Sequence, residues 1–267
     1  MIKFSKTLRI LQNKPSFHLF ILIGWILSGC AIFSGKKEGE LLPHRKKTFQ
    51  FVDKSGEYLL TRESGLLEQK NQIVVKRKLF SQQGKDKPFE KSISITTPGY
   101  IKKIKILRPH ISQYSVWFDG KKYFTEISLN KNKKKLEVTM ESPEEKWQGA
   151  RLVDFPEGNG LYCFYTQIVE CAHQTNFFSL SKQKKSGVMK FHIIWDGYPY
   201  IHEQYPDIPN DVFTKASFRY DGKNDDGHYR YSLNFANQTI FYMINDNNRL
   251  AGIHWVAQGL SISKMGQ

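Results

Sequence analysis

From residue 48 to the end of the chain, apolar residues recur in short runs at period two, and no stretch sustains the spacing of an amphipathic helix. Period two places successive side chains on opposite faces of a strand, so each run can bury one face and wet the other. The runs are residues 48–52, 57–62, 66–80, 90–96, 100–107, 112–118, 121–129, 135–140, 161–168, 188–195, 212–220, 228–235, 238–244 and 250–264. In 90–96, Ile93 and Ile95 oppose serines, and in 100–107, Ile104 and Ile106 alternate with Lys103 and Lys105. This pattern predicts antiparallel strands that are solvated on one side. Run 66–80 is long for a strand and is expected to bend or bulge near its middle.

Turn chemistry punctuates the runs. Asp119-Gly120 between two of them is a strong hairpin signal. Asp196-Gly197, Asp221-Gly222, Asp226-Gly227 and residues 246–248 fall at or near other ends. Residues 142–145 suit a loop or a first helical turn with Ser142 as cap. Residues 151–160 break regular structure, residues 169–180 suit a helical turn or two, and 198–210 is a proline-rich loop. The expected fold is mainly all-β. It is a large curved antiparallel sheet, half-barrel or barrel-like, with one or two short helices, in a single domain over residues 48–267.

Ahead of this body lies a leader. Lys3, Lys6, Arg9 and Lys14 precede an apolar run, residues 17–27, that closes on Leu27-Ser28-Gly29-Cys30. A positive segment, a short apolar core and small residues before a cleavage point are the parts of an export signal. The apolar run falls short of the roughly 20 residues that a membrane-spanning helix needs. Residues 34–47 are polar and broken by Gly and Pro, as suits a tether.

Leu27-Ser28-Gly29-Cys30 resembles the lipobox of bacterial lipoproteins. The resemblance implies cleavage after Gly29, lipidation of Cys30 and a membrane anchor through its acyl chains. With Ala31 rather than aspartate after the cysteine, it further implies outer-membrane sorting, with the body in the cell envelope facing the periplasm. The chain thus divides into a signal (1–29), a lipidated tether (30–47) and the β-domain. In layout the body is similar to the half-barrel or clamshell β-domains of periplasmic lipoprotein carriers and related envelope lipoproteins, a similarity of architecture without shared motifs.

The net charge is +15, of which the leader supplies four, leaving +11 on the rest. For an exported protein this excess points to anionic lipid or envelope polymer, or to a solvated lysine face, and not to nucleic acid. Cys163 and Cys171 remain once Cys30 is assigned to lipid, and they either pair or stay buried thiols. Pairing requires the chain to reverse, since a single strand would hold them about 26 Å apart and a helix about 12 Å.

No Gly-x-Ser-x-Gly, His-Glu-x-x-His or Gly-rich phosphate loop occurs, so no catalytic residue is assigned. Cys163 or Cys171 with His173 is the best nucleophile pair available, and a structural thiol beside a surface histidine is the plainer reading. His192, His202 and His254 sit among apolar residues. Residues 221–228 fit a hairpin turn better than a calcium loop, because Gly222 and Leu233 occupy ligand positions. No metal and no cofactor are expected. Glu144 and Glu145 suit a capped turn.

The second half of the body is rich in aromatic residues. They either fill a core or line a concave apolar pocket, for which Phe164, Phe191, Trp195, Phe241 and Trp255 are the candidates. The expected function is binding of a lipid or other apolar ligand. The alternatives are a structural lipoprotein that docks on another envelope protein and, last, an envelope hydrolase.

Overall fold

A computed structural model describes residues 45–67, 70–82, 87–157 and 160–265. The export leader, Cys30, Ala31 and the tether as far as residue 44 lie outside them. Strands β1 (Arg45–Asp53), β2 (Gly56–Leu67), β3 (Gln72–Ser81), β4 (Glu90–Ile101), β5 (Ile104–Phe118), β6 (Lys121–Asn130), β7 (Lys135–Glu141) and β8 (Gly149–Val153) follow one another as an antiparallel meander. β1 starts inside the expected tether, because Arg45, Lys46 and Lys47 pair with Ser64, Glu63 and Arg62.

Three expected strands are hairpins. Run 66–80 is divided into β2, ending at Leu67, and β3, starting at Gln72, instead of bending, with Asn71 at a φ of 47°. Run 100–107 reverses at Lys102 and Lys103, whose φ values of 46° and 71° make a turn of the type that glycine and asparagine usually occupy. Alternation of Lys and Ile across that turn mimics a strand. The Asp119-Gly120 turn joins β5 to β6, with φ values of 47° and 75°.

The second half contains β9 (Tyr162–Phe164), α1 (Ile168–Gln174), α2 (Phe177–Lys184), β10 (Val188–Ile194), α3 (Tyr200–Gln204), β11 (Phe213–Lys223), β12 (Tyr229–Phe235), β13 (Gln238–Ile244), β14 (Leu250–Trp255) and β15 (Leu260–Lys264). The aromatic run 161–168 stops being strand at Phe164, where a 3-10 turn over Tyr165–Gln167 leads into α1. Residues 151–160 keep one short strand, β8, before the irregular stretch. Run 250–264 is another hairpin, interrupted by a 3-10 turn over Val256–Gln258 and by Gly259 at a φ of 61°.

The fifteen strands among the described residues belong to one sheet, in the order β8-β7-β6-β5-β4-β3-β2-β1-β15-β14-β13-β12-β11-β10-β9. The pairing of Phe51 with Ile262 joins the two meanders through β1 and β15. Only β9 and β10 run parallel, since α1 and α2 form the crossover between them. The sheet is curved and unclosed. β9 comes back against β5 without strand pairing, so the roll ends in a side-chain seam and β6–β8 extend past it as a flange.

The inner face is set by in-phase apolar residues: Phe49 and Phe51, Leu60, Phe218, Leu233, Tyr242 and Trp255 are all buried. Trp195 and Trp255 are fully enclosed and still satisfy their indole N–H groups, on Thr214 at 2.8 Å and Gln238 at 3.0 Å. Burying side chains of this size stabilises the fold by about 1.5–3 kcal/mol each. β4 departs from the pattern. Ser92, Ser94 and Thr96 are its buried inner residues, and Ile93 and Ile95 are half-buried on the outer face.

Left-handed backbone at a β-carbon-bearing residue stores strain that glycine does not. Lys103→Gly is expected to stabilise the protein by about 0.5–1 kcal/mol, read as a higher urea midpoint at unchanged slope; an unchanged or lower midpoint contradicts the turn assignment.

Candidate functional site

Cross-strand register puts Lys47, Arg62, Arg77, Ser92, Tyr114 and Thr125 in one row across β1 to β6. Its first three members are cations standing side by side on the inner face. Like charges directly opposite on a sheet destabilise it, so the row needs compensation.

The crossover helix supplies part of that. Arg62 Nη2 donates to both oxygens of Glu170 on α1, at 2.8 and 2.6 Å, and to the Thr166 carbonyl at 3.3 Å. The side chains are 11% and 5% exposed, so this is a buried ion pair. Arg77 is surrounded by Glu90, Tyr165, Asp196 and Tyr114. Burial works against its charge, and those neighbours outweigh burial and hold its pKa above the usual value. Burial likewise pushes the Glu90 carboxyl up, opposed by Arg77 and by a hydrogen bond from Tyr114.

The serine-lined part of the row is met by the 3-10 turn and by the loop after β10. Asp196 accepts hydrogen bonds from Ser94 Oγ at 2.7 Å and from Thr166 Oγ1. Ser94 Oγ also lies 2.7 Å from Thr166 Oγ1 and 3.2 Å from Ser112 Oγ. Gln167 Nε2 donates to the backbone carbonyls of Ser94 at 2.8 Å and Ile73 at 3.3 Å. Helix α1 is therefore fastened to β2, β3 and β4 by polar contacts. Beside them a cavity of about 30 Å³, lined by Arg62, Arg77, Tyr165, Tyr242 and Ile253 among others, has room for about two waters.

Two further concavities flank this interior. At the end of the roll a pocket of about 80 Å³ is lined by Arg45, Lys47, Arg62, Glu170, His173 and Arg249. Between the flange and the loop after β10 lies a cleft of about 460 Å³ that includes Lys146, Trp147, Arg151, Tyr198 and His202. Tyr200 packs edge-on against Tyr123 at 5.4 Å and Trp147 at 5.5 Å, pinning the flange to that loop. Lys146 sits 3.8 Å over the Trp147 ring and Arg151 4.6 Å over Tyr198.

The candidate residues named from the sequence fall in several places. Cys163 and Cys171 are joined by a disulfide, with Cα atoms 6.3 Å apart, the reversal being made by the 3-10 turn and the first turn of α1. With both sulfurs bonded, Cys171 and His173 offer no thiolate nucleophile. Phe164, Phe191, Trp195 and Trp255 are core residues, and Trp195 and Trp255 both pack on Phe235, at 5.3 and 5.9 Å. Phe241 is on the outer face beneath Arg230. Phe191 also lines an open outer groove of about 680 Å³ near Lys190 and Lys215.

His192, His202 and His254 lie on β10, α3 and β14, and no metal-ligating cluster occurs among the described residues. Residues 221–228 form a hairpin turn, with Asn224 Oδ1 accepting from the His228 amide at 2.8 Å. Glu144 accepts from the Tyr123 hydroxyl at 2.9 Å, and Ser142 Oγ caps the Glu144 amide at 2.8 Å.

Motif spacing does not reveal the cationic row, yet its signal is in the chain. The phase of Phe49 and Phe51 carries Lys47 and Arg45 inward, Leu60 carries Arg62, and Ile73, Val75 and Leu79 carry Arg77. Compared with known protein families, curated proteins and solved structures, the chain shows no match.

Two outcomes test this arrangement. Removing one member of a buried pair leaves the other charge uncompensated. Glu170→Gln is expected to cost about 3 kcal/mol in urea unfolding, and Arg62→Met combined with Glu170→Leu to recover most of it; a loss under about 1 kcal/mol for the single variant removes the pair from its anchoring role. His202, 7% exposed, is held neutral by burial, with its pKa driven down to about 4 despite opposition from the Pro209 and Pro199 backbone and Asp211. The unfolded chain binds that proton near pH 6.5, so stability is full above pH 6.5 and falls as pH drops toward 4, by about 2 kcal/mol after solvent screening. His202→Gln should flatten this part of the pH–stability curve, leaving the share of His173, His192 and His254, whose pKa values burial also lowers.

Proposed function

We propose that this chain is an envelope lipoprotein, exported, acylated at Cys30 and held on the outer membrane with its body in the periplasm, which binds an amphipathic ligand against the inner face of its rolled sheet. The anchoring half of the reading rests on Leu27-Ser28-Gly29-Cys30. The binding half rests on one observation. The inner face is itself amphipathic, with a polar row across β1–β6 and aromatic and aliphatic residues across β10–β15, and a helical cover lies over it.

Because the cavities lined by the cover measure about 30 and 80 Å³, a ligand with an acyl chain requires that cover to lift. The unclosed seam makes this feasible. β9 and β5 meet through side chains, so no strand pairing has to break. In this role the chain is a binding protein and not a catalyst.

A second reading is docking onto another envelope protein. It is favoured by β8, whose outer edge has no partner strand among the described residues and whose side chains are exposed, Leu152 at 39%. An unpaired edge of that kind can accept a strand from a partner.

Native mass spectrometry of the full chain, extracted in mild detergent, should retain a lipid or lipid-like mass, and Cys30→Ser should move the protein to the soluble fraction. Extraction that yields only the acylated chain with nothing bound, together with a stoichiometric protein crosslink, transfers the reading to docking; a Cys30→Ser protein that stays with the membrane removes the anchor.

A further inference from the structure

The pocket at the end of the roll has a charge imbalance that the fold does not resolve. Of its cations, Arg62 is committed to Glu170, the one carboxylate in the lining among the described residues. Arg45, Lys47 and Arg249 have no ion pair among the described residues, and Lys47 Nζ reaches only the Leu250 carbonyl, at 3.2 Å. Arg249 Nε is buried with no hydrogen-bond partner among the described residues, and so is Nδ1 of His173 in the same lining. A buried guanidinium N–H without an acceptor costs about 1–3 kcal/mol, and three uncommitted cations around about 80 Å³ repel one another. Burial, followed by the charges of Arg249, Lys264, Arg45 and Arg62, lowers the Lys47 pKa, which registers that crowding.

The surrounding structure holds these cations in place. Lys182 donates to Asn248 Oδ1 at 2.7 Å and to the Asn245 carbonyl at 3.2 Å, fixing the β13–β14 turn that carries Arg249. Asn245 Oδ1 accepts the Arg249 amide at 3.0 Å. Arg45 and Lys47 are fixed by β1 pairing with Ser64 and Arg62. The cations are thus preorganised by backbone pairing and a braced turn, and no described carboxylate neutralises them.

We propose that this pocket binds a phosphate group, as the polar end of the amphipathic ligand inferred above. Planar guanidinium forks suit phosphate oxygens, and a dianion answers a surplus of three positive charges better than a carboxylate does. The pocket shares Arg62, Val169 and Leu250 with the small cavity beneath α1, so a head group here places a tail at the entrance to the inner face. The site rests on the amphipathic reading for the identity of its ligand and not for its existence, because free inorganic phosphate has the same recognised atoms.

The test uses the full-length acylated chain in detergent with three probes: inorganic phosphate, a lysophosphatidic acid, and a monoacylglycerol with the same acyl chain. The expected result is at least tenfold tighter binding of lysophosphatidic acid than of monoacylglycerol, lost in Arg45→Gln/Arg249→Gln and weakened by salt. The double variant should melt no lower than the parent, because removing like charges relieves repulsion; Lys47→Met serves as a second variant. Equal affinity for the two amphiphiles, or a preference that survives both substitutions, overturns the phosphate site while leaving amphipathic binding in place. Phosphate binding that the variants abolish, with neither amphiphile bound, upholds the site and overturns the lipid reading. Binding of none of the three overturns both.

Discussion

The inner-face row of Lys47, Arg62 and Arg77 governs how the rest of the molecule is put together. Three neighbouring strands that turn cations to the same side would push apart if nothing answered them. The compensating carboxylates come from other parts of the chain. Glu170 arrives on α1, Asp196 follows β10, and Glu90 begins β4. Laying the crossover across the sheet and compensating Arg62 and Arg77 therefore go together. The contact of Arg62 with Glu170 joins positions 108 residues apart. Non-local requirements of that kind make a sheet slow to form.

The cover formed by α1 and α2, with the 3-10 turn that leads into it, is correspondingly two-sided. Toward β2, β3 and β4 it presents Thr166, Gln167 and Glu170, which make hydrogen bonds and an ion pair. Toward β11 and β12 it presents Phe177 and Phe178, whose rings meet Phe218 and Tyr231 at 5.0 to 6.2 Å. Water can replace the polar contacts one for one, at a net loss of about 1 kcal/mol each. It cannot replace the aromatic ones. Movement of the cover would therefore begin at the β2–β4 side and hinge on the phenylalanines. The Cys163–Cys171 disulfide holds the start of α1 to β9 throughout.

Glycine-marked turns and strands with one wet face were legible in the sequence, as at Asp119-Gly120 and β6. What escaped was turn chemistry without glycine. Lys102-Lys103 and Asn71 adopt positive φ in side-chain-bearing residues, and alternation continues across them, so one run hid two strands. The second failure concerns which face is inward. Apolar content points Ile93 and Ile95 to the core, but strand pairing carries Ser94 opposite Val75 and Ser112, and those neighbours are buried. Burial belongs to the sheet as a whole. A strand whose inner residues meet a polar helix reads inside out by itself. The same cause hid the candidate site, because a lysine in phase with Phe49 looks like surface until Arg62 and Arg77 are seen beside it.

The place of the uncommitted charges then bears on how the two ends of the protein work together. Arg45 lines the cationic pocket and stands fifteen residues after Cys30. A chain of that length extends at most about 50 Å. If Cys30 carries lipid, the pocket works within a short reach of the bilayer to which the chain is tied. Any pull of its three cations toward anionic head groups fades within a Debye length, about 8 Å at physiological salt. If Cys30 is acylated, the anchor, separate from the pocket in sequence and in chemistry, would bound the pocket's distance from the membrane that supplies a phosphate-bearing amphiphile.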